Sequence, residues 1–479
     1  MGLHESLTEE IRSAPSGAKR AALFDLDQTL LAGFSATAFM RERVMSGRMA
    51  PREMAEALLG ALSFAAGRTG FSGLMSATTA AYRGMAESAL EEVGQEVFDK
   101  HLATQIYPES RALVQAHQEA GHSLAIVSSA TPYQVEPMAR ELGIEHVLCT
   151  RLEVKDGVFT GGVLRPTCYG EGKAVAARDL AATRDIDLAE SWFYTDSHED
   201  LPLLEIVGYP RPTNPNRRLA QIAKERGWPV RRFHSRGPPS SGDVLRTGLV
   251  YASLLPSAWA GAAAGLVNRS RREAINVAGS VWSDLGTSLA GIDLRVEGEE
   301  HLWSRRPAVF IFNHQSGLDA ILVMKLLRRD LTGVAKRELR RNPIFGPLFG
   351  AAGVVFVDRA HSARAIDALE PAVEALRQGR SLAIAPEGTR STTPRLGRFK
   401  KGAFHMAMQA DVPVVPVVFR NVLDALPRDA FVVRPATIEA VVLPPVETRR
   451  WTVDGLDGKI QAIRQQYLEV LGQVEGQQA

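Results

Sequence analysis

Apolar and polar positions along the chain fall into two blocks with the same underlying rhythm. In the first, short apolar runs at 21–24, 123–127, 146–149 and 192–194 are separated by stretches of helical periodicity. Strands alternating with helices predict a parallel sheet covered by helices. Residues about 50–105 break the rhythm with Ala-, Met- and Glu-rich sequence and no strand signal, which predicts a helical insertion over the sheet edge. After Gly291 the alternation resumes, with strands expected at 308–312, 383–385 and 412–419. Helices are expected near 318–327, 363–377 and 459–474. No internal repeat relates the two blocks.

The joint between them reads as a linker. Ser235-Arg-Gly-Pro-Pro-Ser-Ser-Gly-Asp243 concentrates prolines and small residues that sustain neither helix nor strand. Just beyond it, residues 247–267 are 21 positions without a charge, close to the roughly 20 apolar residues that cross a bilayer. The run is mostly Ala, Gly and Ser, with Pro256 near its centre, so its drive into hydrocarbon is weak. An amphipathic segment follows at 273–290, with Arg269, Arg271 and Arg272 between the two. Tyr251, Trp259 and Trp282 suit the depth of lipid headgroups. A helical hairpin docked on a membrane is the expectation; a hairpin buried in a soluble domain is the alternative. The expected divisions are 18–232, a linker at 233–243, the helical segment at 244–290 and a final domain at 291–475.

Composition narrows the choices. The chain has 479 residues, 45% hydrophobic and 23% charged, which excludes a disordered or fibrous protein. Its net charge of +2 hides an asymmetry: residues 1–230 carry −7 and the remainder +9. A basic second half points to an anionic partner, a phosphorylated substrate or a membrane surface. Arginine clusters without interleaved aromatics argue against nucleic acid. Two cysteines, Cys149 and Cys168, suit a reducing compartment. Residues 1–20 lack the apolar core of a secretory signal.

In the first block, Phe24-Asp25-Leu26-Asp27-Gln28-Thr29-Leu30 places two aspartates directly after a strand. Residues two apart in an extended chain point the same way. One carboxylate can attack phosphorus while the other handles the proton of the leaving oxygen. Ser128 follows a second strand and can donate to a phosphoryl oxygen, and Lys173 offers a compensating positive charge. Asp196 and Asp200, after a third strand, add hard oxygen ligands of the kind that Mg²⁺ accepts. Each group falls at the carboxyl end of a strand, where open α/β sheets place ligands. Residues 18–230 thus resemble a haloacid dehalogenase superfamily phosphatase of the phosphoserine-phosphatase-like subclass. The resemblance implies a Rossmann-like domain with a small helical cap at about 50–105. It makes Asp25 the nucleophile, Asp27 the acid and base, and Ser128 and Lys173 the phosphate holders. Asp25, Asp196 and the backbone carbonyl of Asp27 would bind Mg²⁺, supported by Asp200. Gln28 departs from the more usual Gly or Asp.

In the second block, Asn313-His314-Gln315-Ser316-Gly317-Leu318-Asp319 follows a strand and opens a helix. A tight turn can bring Asp319 to the imidazole of His314, fixing its tautomer and leaving the other nitrogen to deprotonate a hydroxyl. No serine or cysteine motif accompanies the pair, so direct attack of a substrate hydroxyl on a thioester is the economical chemistry. Downstream, Arg359 ends a strand, and Pro386-Glu387-Gly388-Thr389-Arg390 brings an arginine, a hydroxyl and a glycine that permits close backbone approach. Lys336 precedes the basic run Arg337, Arg340 and Arg341. This order of motifs, from about 290 to 445, resembles the 1-acyl-sn-glycerol-3-phosphate acyltransferases of the glycerolipid acyltransferase family. By that resemblance His314 is the base, Asp319 its partner, and Arg359, Glu387, Gly388, Thr389 and Arg390 shape the lysophosphatidate site, with Lys336 a further phosphate contact. The donor would be acyl-CoA or acyl-carrier protein, and the hairpin would dock on the anionic cytoplasmic face of the plasma membrane. A first domain that only binds or regulates, and a second that binds lipid without transferring acyl groups, are the competing classes.

Overall fold

The computed structural model describes residues 3–47, 82–341, 353–357 and 369–473, with isolated positions at 73, 75, 79, 80, 346, 349 and 350. Most of the expected cap between 50 and 81 lies outside them, as does Arg359. The chain divides into two units, Met1–Pro238 and Pro239–Ala479.

The first unit is built on a five-stranded parallel sheet in the order β3-β2-β1-β6-β7. Its strands are β1 (Ala21–Phe24), β2 (Ser123–Ser128), β3 (His146–Cys149), β6 (Trp192–Thr195) and β7 (Tyr209–Pro212). Residues of β1 are at most 1% exposed, because helices cover both faces of the sheet. Ala21 and Leu23 pack with Ala125, Val127 and Phe193, while Ala22 and Phe24 pack with Ile126, Trp192 and Tyr194. In this unit three strands were missed by the apolar pattern. β7 carries Pro210 and Pro212, which read as loop residues but are tolerated on an edge strand. β4 (Leu152–Lys155) and β5 (Val158–Val163) form a separate antiparallel hairpin. Asp156 and Gly157 at its tip both have positive φ, 52° and 74°, as a two-residue hairpin turn requires. The described part of the insertion is helical as expected, led by Glu87–Val97.

The second unit carries a seven-stranded sheet in the order β11-β10-β12-β9-β13-β14-β8. The strands are β8 (Ile292–Glu297), β9 (Val309–Phe312), β10 (Leu331–Lys336), β11 (Val355–Val357), β12 (Ser381–Ile384), β13 (Val414–Phe419) and β14 (Ala436–Val442). All neighbours are parallel except β13 and β14. Val309 and Ile311 face one core and Phe310 the other.

The proline pair at 238–239 marks the division, and the expected linker around it is ordered. Phe233 lies in the first core, and Arg236 Nε donates to the Thr104 carbonyl at 3.1 Å. On the other side Ser240 caps helix Ser241–Ala252: its hydroxyl accepts from Asp243 N at 3.1 Å while the Asp243 carboxylate accepts from Ser240 N at 3.0 Å. That reciprocal cap starts a helix inside a stretch whose composition opposed one.

The uncharged run continues as helix Leu254–Asn268, then turns at Arg269 (φ 49°) into helix Arg271–Ala290. Pro256 sits in the first turn, where its missing N–H costs nothing. The two helices approach closely through small residues: a Cβ on Gly261 would lie 2.4 Å from the Ala274 carbonyl and 2.6 Å from Ala278 Cβ. The opposite face is bare, with Trp259 70% and Val267 83% exposed. Trp282 does not face outward as expected; its indole N–H reaches the Val250 carbonyl at 3.4 Å. Replacing Gly261 with Val should push the helices apart and destabilise the second unit by about 1–3 kcal/mol. Equilibrium chemical denaturation reads the change, and an unaltered midpoint would show that this seam does not hold the hairpin.

Candidate active sites

In the first unit β1 and β6 end side by side, and Asp25 N–H donates to the Tyr194 carbonyl at 2.9 Å. Asp25 therefore leaves the sheet at its carboxyl edge. Lys173, in the first turn of helix Glu171–Arg184, places Nζ 2.7 Å from Asp25 Oδ1 and 2.7 Å from Asp200 Oδ2. Thr195 Oγ1 donates to the same Asp200 oxygen at 2.6 Å. All three ionised groups are buried, so each needs the others. Burial works against the Lys173 charge, but Asp200 and Asp25 outweigh it and hold the ammonium well above its ordinary range.

Asp27 stands apart from that triad. Its Oδ1 accepts from Ser35 N at 2.8 Å and its Oδ2 from Ser35 Oγ at 3.3 Å. Gln134 Nε2 donates to Ser35 Oγ at 3.3 Å, and Gln134 Oε1 accepts from Thr131 N and Oγ1. The carboxyl is thereby tied to the loop that follows Ser128. Burial raises the Asp27 pKa and the two Ser35 bonds oppose the rise. Ser128 is buried, its oxygen accepting from Ala130 N at 3.2 Å. Gln28 adopts φ 58°, a conformation that explains why glycine suits this position, and Asn214 Nδ2 fixes its carbonyl at 2.9 Å. Sequence reasoning missed Thr195, Ser35 and Gln134, and only Thr195, at a strand end beside Asp196, carried a signal.

Among the described residues, no three His, Cys, Asp or Glu side chains form a ready metal cage. Mg²⁺ needs less, since it keeps several waters. Burial, then the charges of Asp25 and Asp200, push the Asp196 carboxyl up to about 8. Burial likewise raises Asp25, with Lys173 opposing. A donor set this short of positive charge fits a divalent cation held by Asp25 and Asp196. Asp200, committed to Lys173 and Thr195, is positioned to support rather than to ligate.

In the second unit β9 ends at Phe312, and Asn313 turns inward to exchange two 2.8 Å hydrogen bonds with the Phe419 backbone on β13. This pins the strand end from which His314 departs. Asp319 opens helix Asp319–Leu327 and is 0% exposed. Its Oδ2 lies 2.7 Å from His314 Nδ1 and accepts from Gln315 N and Ser316 N, both at 2.9 Å. No described residue hydrogen-bonds His314 Nε2, and the ring is partly exposed. A hydrogen on Nδ1 satisfies Asp319 Oδ2, and that tautomer leaves the Nε2 lone pair available.

Glu387 follows β12 but does not face an open site. Its Oε1 accepts from the His314 backbone N–H at 2.7 Å and its Oε2 from Gly397 N–H at 2.9 Å. Ser391 N–H in turn donates to the His314 carbonyl at 2.8 Å. Burial raises the Glu387 pKa and these backbone donors pull it down. Gly388, at φ 78°, brings its Cα under the Lys400 side chain. Arg390 Nη1 donates to the Arg428 carbonyl at 2.8 Å and lies near Gly317, where an added Cβ would sit 3.9 Å from it. His314, Asp319, Glu387 and Arg390 therefore gather around one turn. Thr389 is exposed. Lys336 ends β10, its side chain outside the description, and Arg359 is not among the described residues.

Comparison with known proteins separates the halves in the same way. A family model described as haloacid dehalogenase-like hydrolase matches residues 22–205, and one described as acyltransferase matches residues 293–420. The 1-acyl-sn-glycerol-3-phosphate acyltransferase of Limnanthes douglasii is 36% identical over 197 residues, covering 41% of this chain and 69% of that protein. A phosphoserine phosphatase of Mycobacterium tuberculosis is 33% identical over 270 residues, covering 54% of this chain and 83% of its own. The solved 1-acyl-sn-glycerophosphate acyltransferase of Thermotoga maritima is similar at 23% identity and a TM-score of 0.40, covering 48% and 97% of the two chains.

The Asp196 carboxyl gives a pH dependence with a defined sign. Folded, it holds its proton up to about 8; unfolded, it loses it near ~3.9. Between those values the folded state binds more protons, so metal-free stability of the first unit falls as pH rises. Asp196→Asn should melt higher than the parent at pH above ~7 in chelator, with the gap closing toward pH ~4. Scanning calorimetry reads this, and a gap that is constant with pH would reject it.

Proposed function

Because the chain belongs to the haloacid dehalogenase-like hydrolases through its first half and to the 1-acyl-sn-glycerol-3-phosphate acyltransferases through its second, we propose that it makes phosphatidic acid and also hydrolyses a phosphomonoester. The acyl donor is acyl-CoA or acyl-carrier protein, and the acceptor is the free hydroxyl of 1-acylglycerol 3-phosphate. One observation carries the transfer reaction: His314 Nδ1 sits 2.7 Å from the buried Asp319 carboxylate with Nε2 left free. Nε2 takes the hydroxyl proton as that oxygen bonds to the thioester carbonyl carbon. The tetrahedral intermediate then expels the thiolate, which recovers the proton from the imidazolium. Asp319 steadies the imidazolium between those steps, and Arg390 meets the acceptor phosphate.

In the first unit Asp25 attacks phosphorus while Asp27 protonates the departing alcohol. Asp27 then deprotonates the water that cleaves the aspartyl phosphate. Lys173 and Ser128 hold the phosphoryl oxygens. Asp25, Asp196 and the Asp27 carbonyl would hold Mg²⁺, which when bound would supply charge neutralisation at the transferring group.

The hairpin suits attachment to an anionic membrane surface at the cytoplasmic face. Ser241–Asn268 is the one stretch among the described residues long and apolar enough to cross a membrane.

His314→Ala should lower phosphatidate formation about a hundredfold or more, the worth of a missing general base. Mass spectrometry of products from lysophosphatidate and acyl-CoA measures it, and retained turnover removes His314 as the base. Asp25→Asn should abolish phosphate release from a phosphomonoester panel; undiminished hydrolysis would leave the first unit a binding module.

A further inference from the structure

A loop that no motif covers joins the hairpin to the acyltransferase turn. Residues 426–434 run Leu-Pro-Arg-Asp-Ala-Phe-Val-Val-Arg between helix Val422–Ala425 and β14. Phe431, at its tip, is 82% exposed. A single exposed aromatic is ordinary; here the loop that lifts it is held on both stems. On one side Leu426 O accepts from Ser316 Oγ at 2.7 Å and Arg428 O accepts from Arg390 Nη1 at 2.8 Å. On the other, Val433 N donates to Thr247 Oγ1 at 3.0 Å and Arg434 N to the Ala425 carbonyl at 2.9 Å. The tip is therefore a braced apolar point.

Thr247 belongs to helix Ser241–Ala252, whose outward positions include Val244, Leu245 and Leu249, all exposed. Phe431 thus stands two residues from a hydrogen bond to an exposed apolar helix. On the helix Arg246 pairs with Asp243 at 3.6 Å and Arg434 faces the same carboxylate, while Arg428 adjoins Asp429 in the loop, so three arginines exceed two acids by one. An exposed apolar point beside an exposed apolar helix, with a small surplus of positive charge, is complementary to the acyl boundary of an anionic bilayer.

We propose that residues 426–434 enter the interfacial layer of an anionic membrane, with Phe431 as the inserted side chain. The proposal deepens the membrane attachment inferred above and rests on it. Its further content is mechanical. The carbonyl that receives Arg390 and the carbonyl that receives Ser316 are on the same loop, so bilayer contact holds the phosphate-binding arginine and the catalytic turn at the depth of the lipid headgroups. The acceptor then reaches His314 without leaving the membrane surface.

The test titrates the full-length protein and its Phe431→Asp and Phe431→Leu variants with vesicles of phosphatidylcholine and phosphatidylglycerol, reading co-sedimentation. Removing one buried aromatic and adding a charge should weaken binding about tenfold or more in the Asp variant, while Leu stays close to the parent. Turnover of a short-chain, water-soluble lysophosphatidate should be unchanged in both. Equal vesicle binding by parent and Phe431→Asp overturns the loop's role and leaves the hairpin's intact. A parent that does not bind vesicles overturns both together. Loss of turnover on the soluble acceptor would place Phe431 in the site itself and overturn it as a lipid contact.

Discussion

One oxygen organises the acyltransferase half. Asp319 Oδ2 receives His314 Nδ1 and two backbone N–H groups while having no contact with solvent. A carboxylate so placed is expensive to desolvate, and it persists because three donors and a helix N-terminus share its charge. Its fellow oxygen Oδ1 has no described hydrogen-bond partner, so the compensation is concentrated on one atom. Position of the imidazole, choice of tautomer and the start of helix Asp319–Leu327 all follow from that atom.

A second buried carboxylate completes the frame from the other side. Glu387 spends an oxygen on each of two main-chain N–H groups and so ties the His314 main chain to Gly397. With Ser391 holding the His314 carbonyl and Asn313 bonded to β13, His314, the proposed base, is fixed at both its backbone and its ring. Preorganisation of this kind makes a modest base effective. The first unit uses a different device, a lysine between two acids, with Asp27 on a separate serine and glutamine relay. Both devices stand where parallel strands end, since that edge exposes loop residues from neighbouring strands to a common space.

Much of this was legible in the chain. Apolar runs ending in acids or in histidine announced the sheet edges, because buried parallel strands need continuous apolar sequence and their ends must then change character. β7 was hidden by its prolines, β8 and β14 by their charged and polar positions at the sheet margin. The role of Glu387 was not readable, since nothing local says that its partners are backbone groups 73 positions before it and ten after. Trp282 misled for the same reason: an aromatic in an amphipathic helix suits a lipid surface and a helix neighbour equally, and only packing decides.

The bridge from Asp25 through Lys173 to Asp200 bears on how such a domain could decay. Each member is buried and balanced by the others, so losing one strands charge in the interior, at a cost of roughly 3–5 kcal/mol. Drift toward a silent module would have to pass through unstable intermediates or exchange the whole trio for apolar residues. A chain that carries all three in contact has taken neither route.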